Sequence, residues 1–182
     1  MSSRTRTLVL IGVFAALAFV VTLVIRPSFN EFLTLDFKDT IIGVAGFLLG
    51  PLVGIAVAVV VAALEMFISG TGFIGFFMNV ASTVAFVGLA AFIYRRKPSI
   101  ISAVIGVVVG AIAMTALMLL LNYLIIPFYQ GVPREVVAGM LLPIFLPFNL
   151  VKAGGNAVLI LLLYKPVMSA LEAIGFIKKG PQ

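Results

Sequence analysis

Long runs of apolar residues, separated by short polar segments, repeat along the whole sequence and constrain its fold more than any other feature. The chain has 182 residues, of which 63% are hydrophobic and 10% are charged, whereas soluble domains are about 45–50% apolar and about 25% charged. A soluble protein cannot hide this much apolar surface from water, but in a bilayer lipid solvates the outer face. The sequence therefore predicts an all-α integral membrane protein.

The apolar runs are numerous enough for six transmembrane helices. A spanning helix needs about 20 residues, so six helices with short connections fill most of the chain and leave a single transmembrane domain, 1–182. We expect helices at residues 8–25, 40–49, 52–68, 73–94, 101–126 and 139–163, followed by an amphipathic tail, 164–182, at the membrane interface. The first run is too long for a typical signal peptide and is interpreted as a helix.

Prolines and polar segments predict where these helices end or bend. The mixed-charge segment 26–39 is expected to be a loop outside the hydrocarbon core. A second loop is expected at Pro127, Gly131 and Pro133, with room for a short surface helix near Arg134 and Glu135. Pro143 and Pro147 should kink or break the first half of the sixth helix, because proline lacks an N–H and clashes with the preceding turn.

The positive charges predict the orientation of the chain. With the N-terminus in the cytoplasm, most lysines and arginines face the cytoplasm: Arg4, Arg6, Arg95, Arg96, Lys97, Lys165, Lys178 and Lys179. Cytoplasmic loops of membrane proteins carry an excess of Lys and Arg, so both termini are expected in the cytoplasm. The basic excess therefore reflects topology and not binding to nucleic acid.

Polar residues within the apolar runs mark a candidate binding site, because such residues are costly in a bilayer. They are Glu65, Asn79, Asn122, Asn149, Lys152 and Asn156. All but Asn156 are expected toward the outer side of the membrane. Asn149, Lys152 and Asn156 are spaced i, i+3 and i+7, so they share one helix face.

This polar face suits a flat polar heterocycle. Asn both donates and accepts hydrogen bonds, and Lys donates up to three. Ligand sites are mostly apolar with a few convergent polar groups, and apolar walls are available nearby from Phe145, Phe148, Tyr123 and Phe128. The alternative is structural: each Asn can bond to a neighbouring helix, and Glu65 and Lys152 can simply neutralise each other.

The sequence shows no reactive chemistry. It contains no cysteine and no histidine, which excludes disulfides, thiolate chemistry and the usual zinc sites. It also lacks a G-x-x-x-x-G-K-[ST] phosphate loop, and no acid–base or nucleophilic constellation is visible. We therefore expect neither an enzyme, nor a metal site, nor a cofactor.

The first helix carries a face of small residues, Gly12, Ala15 and Ala16. The spacing of Gly12 and Ala16 lets two helices approach closely. The pattern fits packing within this chain as well as docking to a partner.

Several segments together resemble the substrate-binding (S) subunits of energy-coupling-factor (ECF) vitamin transporters, most closely the riboflavin-specific branch. The resemblance covers nearly the whole chain. It rests on LTLDFKD at 33–39, FLLGPLVGI at 47–55, the 72–79 stretch, LNYLIIPFY at 121–129 and LPFNLVKA at 146–153.

The resemblance implies a multi-pass protein of the bacterial cell membrane that binds riboflavin as its transported ligand. Its partners would be a membrane-embedded T subunit, docked at Gly12 and Ala16, and two ATP-binding subunits. The implied ligand contacts are Thr34, Leu35, Asp36, Asn122, Asn149 and Lys152, to which the polar pattern adds Asn79. Relatives carry a basic or amide residue in the third helix where this chain has Ala62, Ala63 and then Glu65, so no contact from that helix to the ribityl chain of riboflavin is implied.

Two other interpretations remain open at this stage. One is the same architecture with another vitamin, such as pantothenate, thiamine or a pyridoxine, although Lys152 argues against cationic thiamine. The other is a membrane assembly subunit without a transport role, which would need no cluster of polar residues on one side of the membrane.

Overall fold

The computed structural model describes residues 3–25 and 35–175, in which all regular structure is helical. Thr34 and the lysines at 178 and 179 lie outside the described residues. The helices are α1 Ser3–Val24, α2 Lys38–Leu49, α3 Pro51–Ile68, α4 Gly72–Thr83, α5 Leu89–Arg96, α6 Ile100–Gln130, α7 Arg134–Met140 and α8 Leu146–Ala173. A π-helical segment, Val84–Gly88, joins α4 to α5, and another, Leu141–Phe145, joins α7 to α8.

Five of the resulting rods are long and apolar enough to cross a membrane: Arg4–Val24, Pro51–Ile68, Gly72–Arg96, Ile100–Gln130 and Arg134–Ala173. Large apolar side chains point away from the bundle, among them Leu52 at 76% and Phe67 at 80% exposure, as expected of surfaces that lipid solvates. The helix α2 has 12 residues and is therefore only about 18 Å long, shorter than the roughly 30 Å hydrocarbon core. The chain is thus an all-helical membrane protein.

The prolines interrupt the helices less than the sequence suggests. The second loop is shorter than expected: Gly131 and Pro133 lie between α6 and α7, but Pro127 lies inside α6, in the last turn, where proline removes only one intrahelical hydrogen bond. The helix ends instead at Gly131, whose φ of 66° is left-handed and favours glycine. At Pro143, where a kink or break was expected, the chain forms the π-helical segment and the rod continues.

The last rod is longer at both ends than the sequence suggests. It begins at Arg134, where the sequence predicts only a loop or a short surface helix, and it continues to Ala173 through most of the tail expected at the interface. Pro166 lies inside this helix without ending it.

The start of α2 differs from the sequence prediction in a way that matters for the site. Lys38 and Asp39 were expected in an outer polar loop, and that prediction is wrong. Both residues lie in the first turn of α2, where Lys38 is 3% exposed and Asp39 is fully buried. Their burial is possible because each finds a polar partner on another helix.

The half of the bundle near Arg95 and Arg96, called the basic end here, is closely packed. The rings of Phe47 and Tyr94 stack with centroids 4.6 Å apart, and Tyr164 meets both edge-on. Glycines allow backbones to touch: a Cβ on Gly106 would lie 2.7 Å from the carbonyl oxygen of Ala90. This half therefore forms a core of fixed geometry.

Candidate functional site

A cavity of about 470 Å³ opens at the opposite end of the bundle, called the cavity end here. Residues of α3, α4, α6, α7, α8 and the π-helical segment before α8 line it, together with Asp36 and Lys38 at the start of α2 and Thr22 near the end of α1. Small-molecule sites occupy about 300–1,000 Å³, so the cavity has the size of a ligand site.

The structure brings most of the sequence-predicted site residues together at this cavity. Those that line it are Asp36, Asn79, Asn122, Asn149 and Lys152. Leu35 is half-buried and does not line it, while Thr34 cannot be placed because it lies outside the described residues. Asn156 shares the buried face of α8 but also does not line the cavity.

The apolar wall differs from the expected one. Phe145 and Phe148 are buried and line the cavity. Tyr123 and Phe128 do not line it, and their rings lie 5.4 and 5.8 Å from the guanidinium carbon of Arg134.

Three methionines complete the lining: Met78, Met118 and Met140. Sequence reasoning missed them, because a methionine in an apolar run is indistinguishable from an ordinary packing residue. Thioether side chains are flexible and adapt to irregular shapes, which suits a wall against a large planar molecule.

Five ionisable side chains meet at the bottom of the cavity and form two ion pairs. The Lys152 ammonium lies 2.9 Å from Asp36 Oδ2, and the Lys38 ammonium lies 2.5 Å from Glu65 Oε2. The pairs are close to each other, since Lys38 Nζ is also 3.9 Å from Asp36 Oδ2. Asp39, the fifth group, accepts a 2.6 Å hydrogen bond from the Thr83 hydroxyl and lies 4.0 Å from Lys152 Nζ.

These distances correct the pairing considered from the sequence. Glu65 and Lys152 do not neutralise each other, because each is bound to a charged residue at the start of α2. Sequence reasoning missed Lys38 and Asp39 as part of this cluster. No local signal could have found them, because three of the five residues from Asp36 to Thr40 are Asp or Thr, which are typical of a loop.

Asn156 has a structural role that explains its absence from the cavity wall. Its Oδ1 accepts hydrogen bonds from the backbone N–H and the hydroxyl of Thr40, at 2.8 and 2.7 Å. Its Nδ2 donates to the carbonyl oxygens of Asp36 and Lys152, at 3.0 and 2.9 Å. The residue thereby fastens the first turn of α2 to α8.

The remaining asparagines differ in how much hydrogen-bonding capacity they have left. Asn79 donates to Glu65 Oε2 at 3.0 Å, and Asn149 donates to the carbonyl oxygen of Phe145 at 2.7 Å. Asn122 is 6% exposed and lines the cavity, yet no hydrogen bond joins its amide to any residue in the described ranges. Its donor and acceptor are therefore available to a molecule in the cavity.

The small-residue face of α1 is only partly on the surface. Gly12 and Ala16 are exposed, and no atom of the described residues would lie within 4 Å of a Cβ on Gly12. Ala15 is 2% exposed and packs in the chain's own core. Ala15, a candidate for partner docking, therefore packs within this chain, whereas Gly12 and Ala16 are accessible at the surface.

Comparison with known proteins gives concordant results. The sequence model of a family described as "ECF transporter, substrate-specific component" matches residues 6–164. Riboflavin transporter RibU of Staphylococcus aureus (strain TCH60) is 31% identical over 94% of this chain and 95% of its own length. Riboflavin transporter FmnP of Bacillus subtilis (strain 168) is 30% identical over 82% of this chain and 85% of its own length.

Two solved structures resemble this chain in fold. The S component of a bacterial ECF transporter superposes with a TM-score of 0.79 at 31% sequence identity, covering 93% of this chain and 99% of the other. ThiT from Listeria monocytogenes superposes with a TM-score of 0.57 at 15% identity, covering 95% and 96% of the two chains. At that identity the second likeness concerns the fold alone.

Proposed function

Because this chain belongs to the family of substrate-specific components of ECF transporters, we propose that it is the high-affinity riboflavin-binding subunit of such a transporter. The family consists of transport components and not of enzymes. Two relatives that match most of the chain are named riboflavin transporters, which supports riboflavin as the transported ligand. Riboflavin would be cargo and not a cofactor.

One observation in the structure supports this proposal most directly: the unbonded Asn122 amide faces a cavity that has aromatic walls. The isoalloxazine ring of riboflavin is flat, and its edge carries both donors and acceptors. Phe145 and Phe148 offer surface for the ring, while Asn122 and Asn149 offer amides for its edge. The ion-paired Lys152 offers its remaining N–H donors.

We further propose six spans and cytoplasmic termini. The short helix α2 serves as the sixth span, and its polar first turn needs no lipid because it is buried within the bundle. The basic end carries Arg4, Arg95, Arg96, Lys97 and Lys165, so the positive-inside bias places it in the cytoplasm and the cavity toward the outside. The whole chain, 1–182, is proposed as one domain in the bacterial plasma membrane.

The proposed partners are a membrane-embedded T subunit and two ATP-binding subunits. A docking face on α1 is supported by Gly12 and Ala16, which are exposed and spaced for close approach of a second helix. The chain itself carries no phosphate loop of the G-x-x-x-x-G-K-[ST] type, so nucleotide hydrolysis would belong to the partners.

Ligand binding by the purified protein tests the proposal. We expect protein purified from cells to be yellow and to quench the fluorescence of added riboflavin. Thermal-shift measurements with thiamine, pantothenate and pyridoxine serve as controls, and none should stabilise the protein as riboflavin does. A folded protein that ignores riboflavin and is stabilised by one of the other vitamins would show that the ligand assignment is wrong.

A further inference from the structure

The carboxylate of Glu65 on α3 accepts two hydrogen bonds at one oxygen and none from the described residues at the other. Its Oε2 accepts from Lys38 Nζ at 2.5 Å and from Asn79 Nδ2 at 3.0 Å. Its Oε1 is buried and has no hydrogen-bond partner in the part of the chain that the structure describes. The side chain is 6% exposed and lines the cavity.

A buried carboxylate oxygen without a hydrogen-bond donor is unfavourable, because its hydrogen bonds to water are lost and no protein hydrogen bond replaces them. A carboxylate that is paired with an ammonium group, as Glu65 is with Lys38, accepts hydrogen bonds. A group in the cavity that donates a hydrogen bond would satisfy Oε1. Asp39 also has an oxygen without a partner among the described residues, but it does not line the cavity and no ligand reaches it.

The chemistry of the cavity changes from one side to the other. On the side of α8, Phe145 and Phe148 lie beside the polar groups of Asn149 and Lys152, whereas Glu65, Ser69 and Thr71 lie on α3 and the turn that follows it. One side thus suits a flat ring and the other suits hydroxyl groups. A neutral ligand with a planar end and a polyhydroxylated end matches this division.

Resting on the riboflavin-binding function proposed above, we propose that Glu65 is a specificity-determining residue that accepts a hydrogen bond from a hydroxyl of the ribityl chain. Lys38 and Asn79 position the carboxylate by occupying Oε2, so that Oε1 is left for the ligand. The resemblance to relatives implied no contact from this helix, so the assignment comes from the geometry alone.

Two flavins that differ only in the side chain test this assignment. Riboflavin carries the ribityl chain, and lumiflavin carries a methyl group at the same ring nitrogen. Fluorescence quenching gives the dissociation constant of each for the wild type, for Glu65→Gln and for the double variant K38M/E65L. The double variant removes both buried charges together, so it tests the loss of the Glu65 acceptor even if E65Q alone fails to fold.

We expect E65Q to weaken riboflavin binding about 10-fold and K38M/E65L to weaken it roughly 10- to 100-fold, as expected for loss of a hydrogen bond to a charged group. Lumiflavin binding should change by less than about 3-fold, because lumiflavin has no hydroxyl to lose. The matched control is E135Q, the same substitution at an exposed glutamate that does not line the cavity, and it should leave both constants unchanged.

The outcomes separate this inference from the function on which it rests. A wild type that binds neither flavin overturns the riboflavin proposal itself. A wild type that binds both, with equal losses for riboflavin and lumiflavin in the variants, overturns the role of Glu65 as a hydroxyl acceptor and leaves it a structural residue. Unchanged riboflavin affinity in both variants overturns it as well.

Discussion

The two ends of the helix bundle achieve burial by different means. At the basic end, glycines bring helix backbones into contact and the rings of Phe47, Tyr94 and Tyr164 pack on one another. At the cavity end, about 470 Å³ stays open and five ionisable side chains gather within the bundle. The difference indicates that the basic end supplies rigidity, while the cavity end holds polar groups ready for a ligand.

The ionisable side chains at the cavity end also stabilise the fold. They hold the first turn of α2, which enters the bundle in the middle of apolar surroundings. Buried ion pairs contribute little net stability compared with apolar residues, yet removal of one partner alone is strongly destabilising. The cavity end is therefore expected to be the more sensitive half when a single charge is deleted.

The largest effect is expected from Lys38→Met, which leaves the Glu65 carboxylate buried without its counterion. We expect the free energy of unfolding in detergent to fall by about 3–5 kcal/mol, measured by denaturant titration without ligand. K38M/E65L should recover most of this loss, since both charges are gone. Lys165→Met, at an exposed position, is the matched control, and a similar loss there would contradict the argument.

A smaller loss of stability is expected from Gly110→Ala at the basic end. A Cβ at this position would overlap the carbonyl oxygen of Phe86, so two helices must separate, and overpacking of this kind costs about 1–3 kcal/mol. Gly154→Ala is the matched control, because no described atom lies within 4 Å of its Cβ, and it should be neutral or slightly stabilising. Equal behaviour of the two variants would show that the basic end is not closely packed.

The sequence predicts the features of this architecture that neighbouring residues determine, and it does not predict contacts between residues far apart in the chain. The long apolar helices follow from composition alone, and the turn at Gly50-Pro51 follows from two adjacent residues. The burial of Lys38 was not predictable in this way, because its partner Glu65 is 27 residues away. Likewise, Thr40 and Asn156, which form a hydrogen bond, are 116 residues apart in the sequence. No pattern within one helix shows which asparagine amide already has hydrogen-bond partners and which is available to a ligand.

That distinction between asparagines gives the next prediction. Asn122→Ala should weaken riboflavin binding by about 1–2 kcal/mol, measured by fluorescence quenching, with little change in the melting temperature of the ligand-free protein. Asn156→Ala should instead lower the melting temperature, because three hydrogen bonds to the start of α2 and one within α8 are lost. Loss of ligand-free stability in N122A would mean that its amide has a structural partner.

The smallest effect is expected from Phe47→Leu in the aromatic group at the basic end. The substitution keeps an apolar side chain but removes the stacking on Tyr94 and the edge contact with Tyr164, so we expect a loss of about 1 kcal/mol in the free energy of unfolding. Riboflavin affinity should not change, because Phe47 does not line the ligand cavity. Phe67→Leu, at a position that is 80% exposed, is the control and should change neither quantity. If F47L weakened riboflavin binding while the protein stayed folded, the two ends would be coupled, and rigidity and recognition could not be assigned to separate halves.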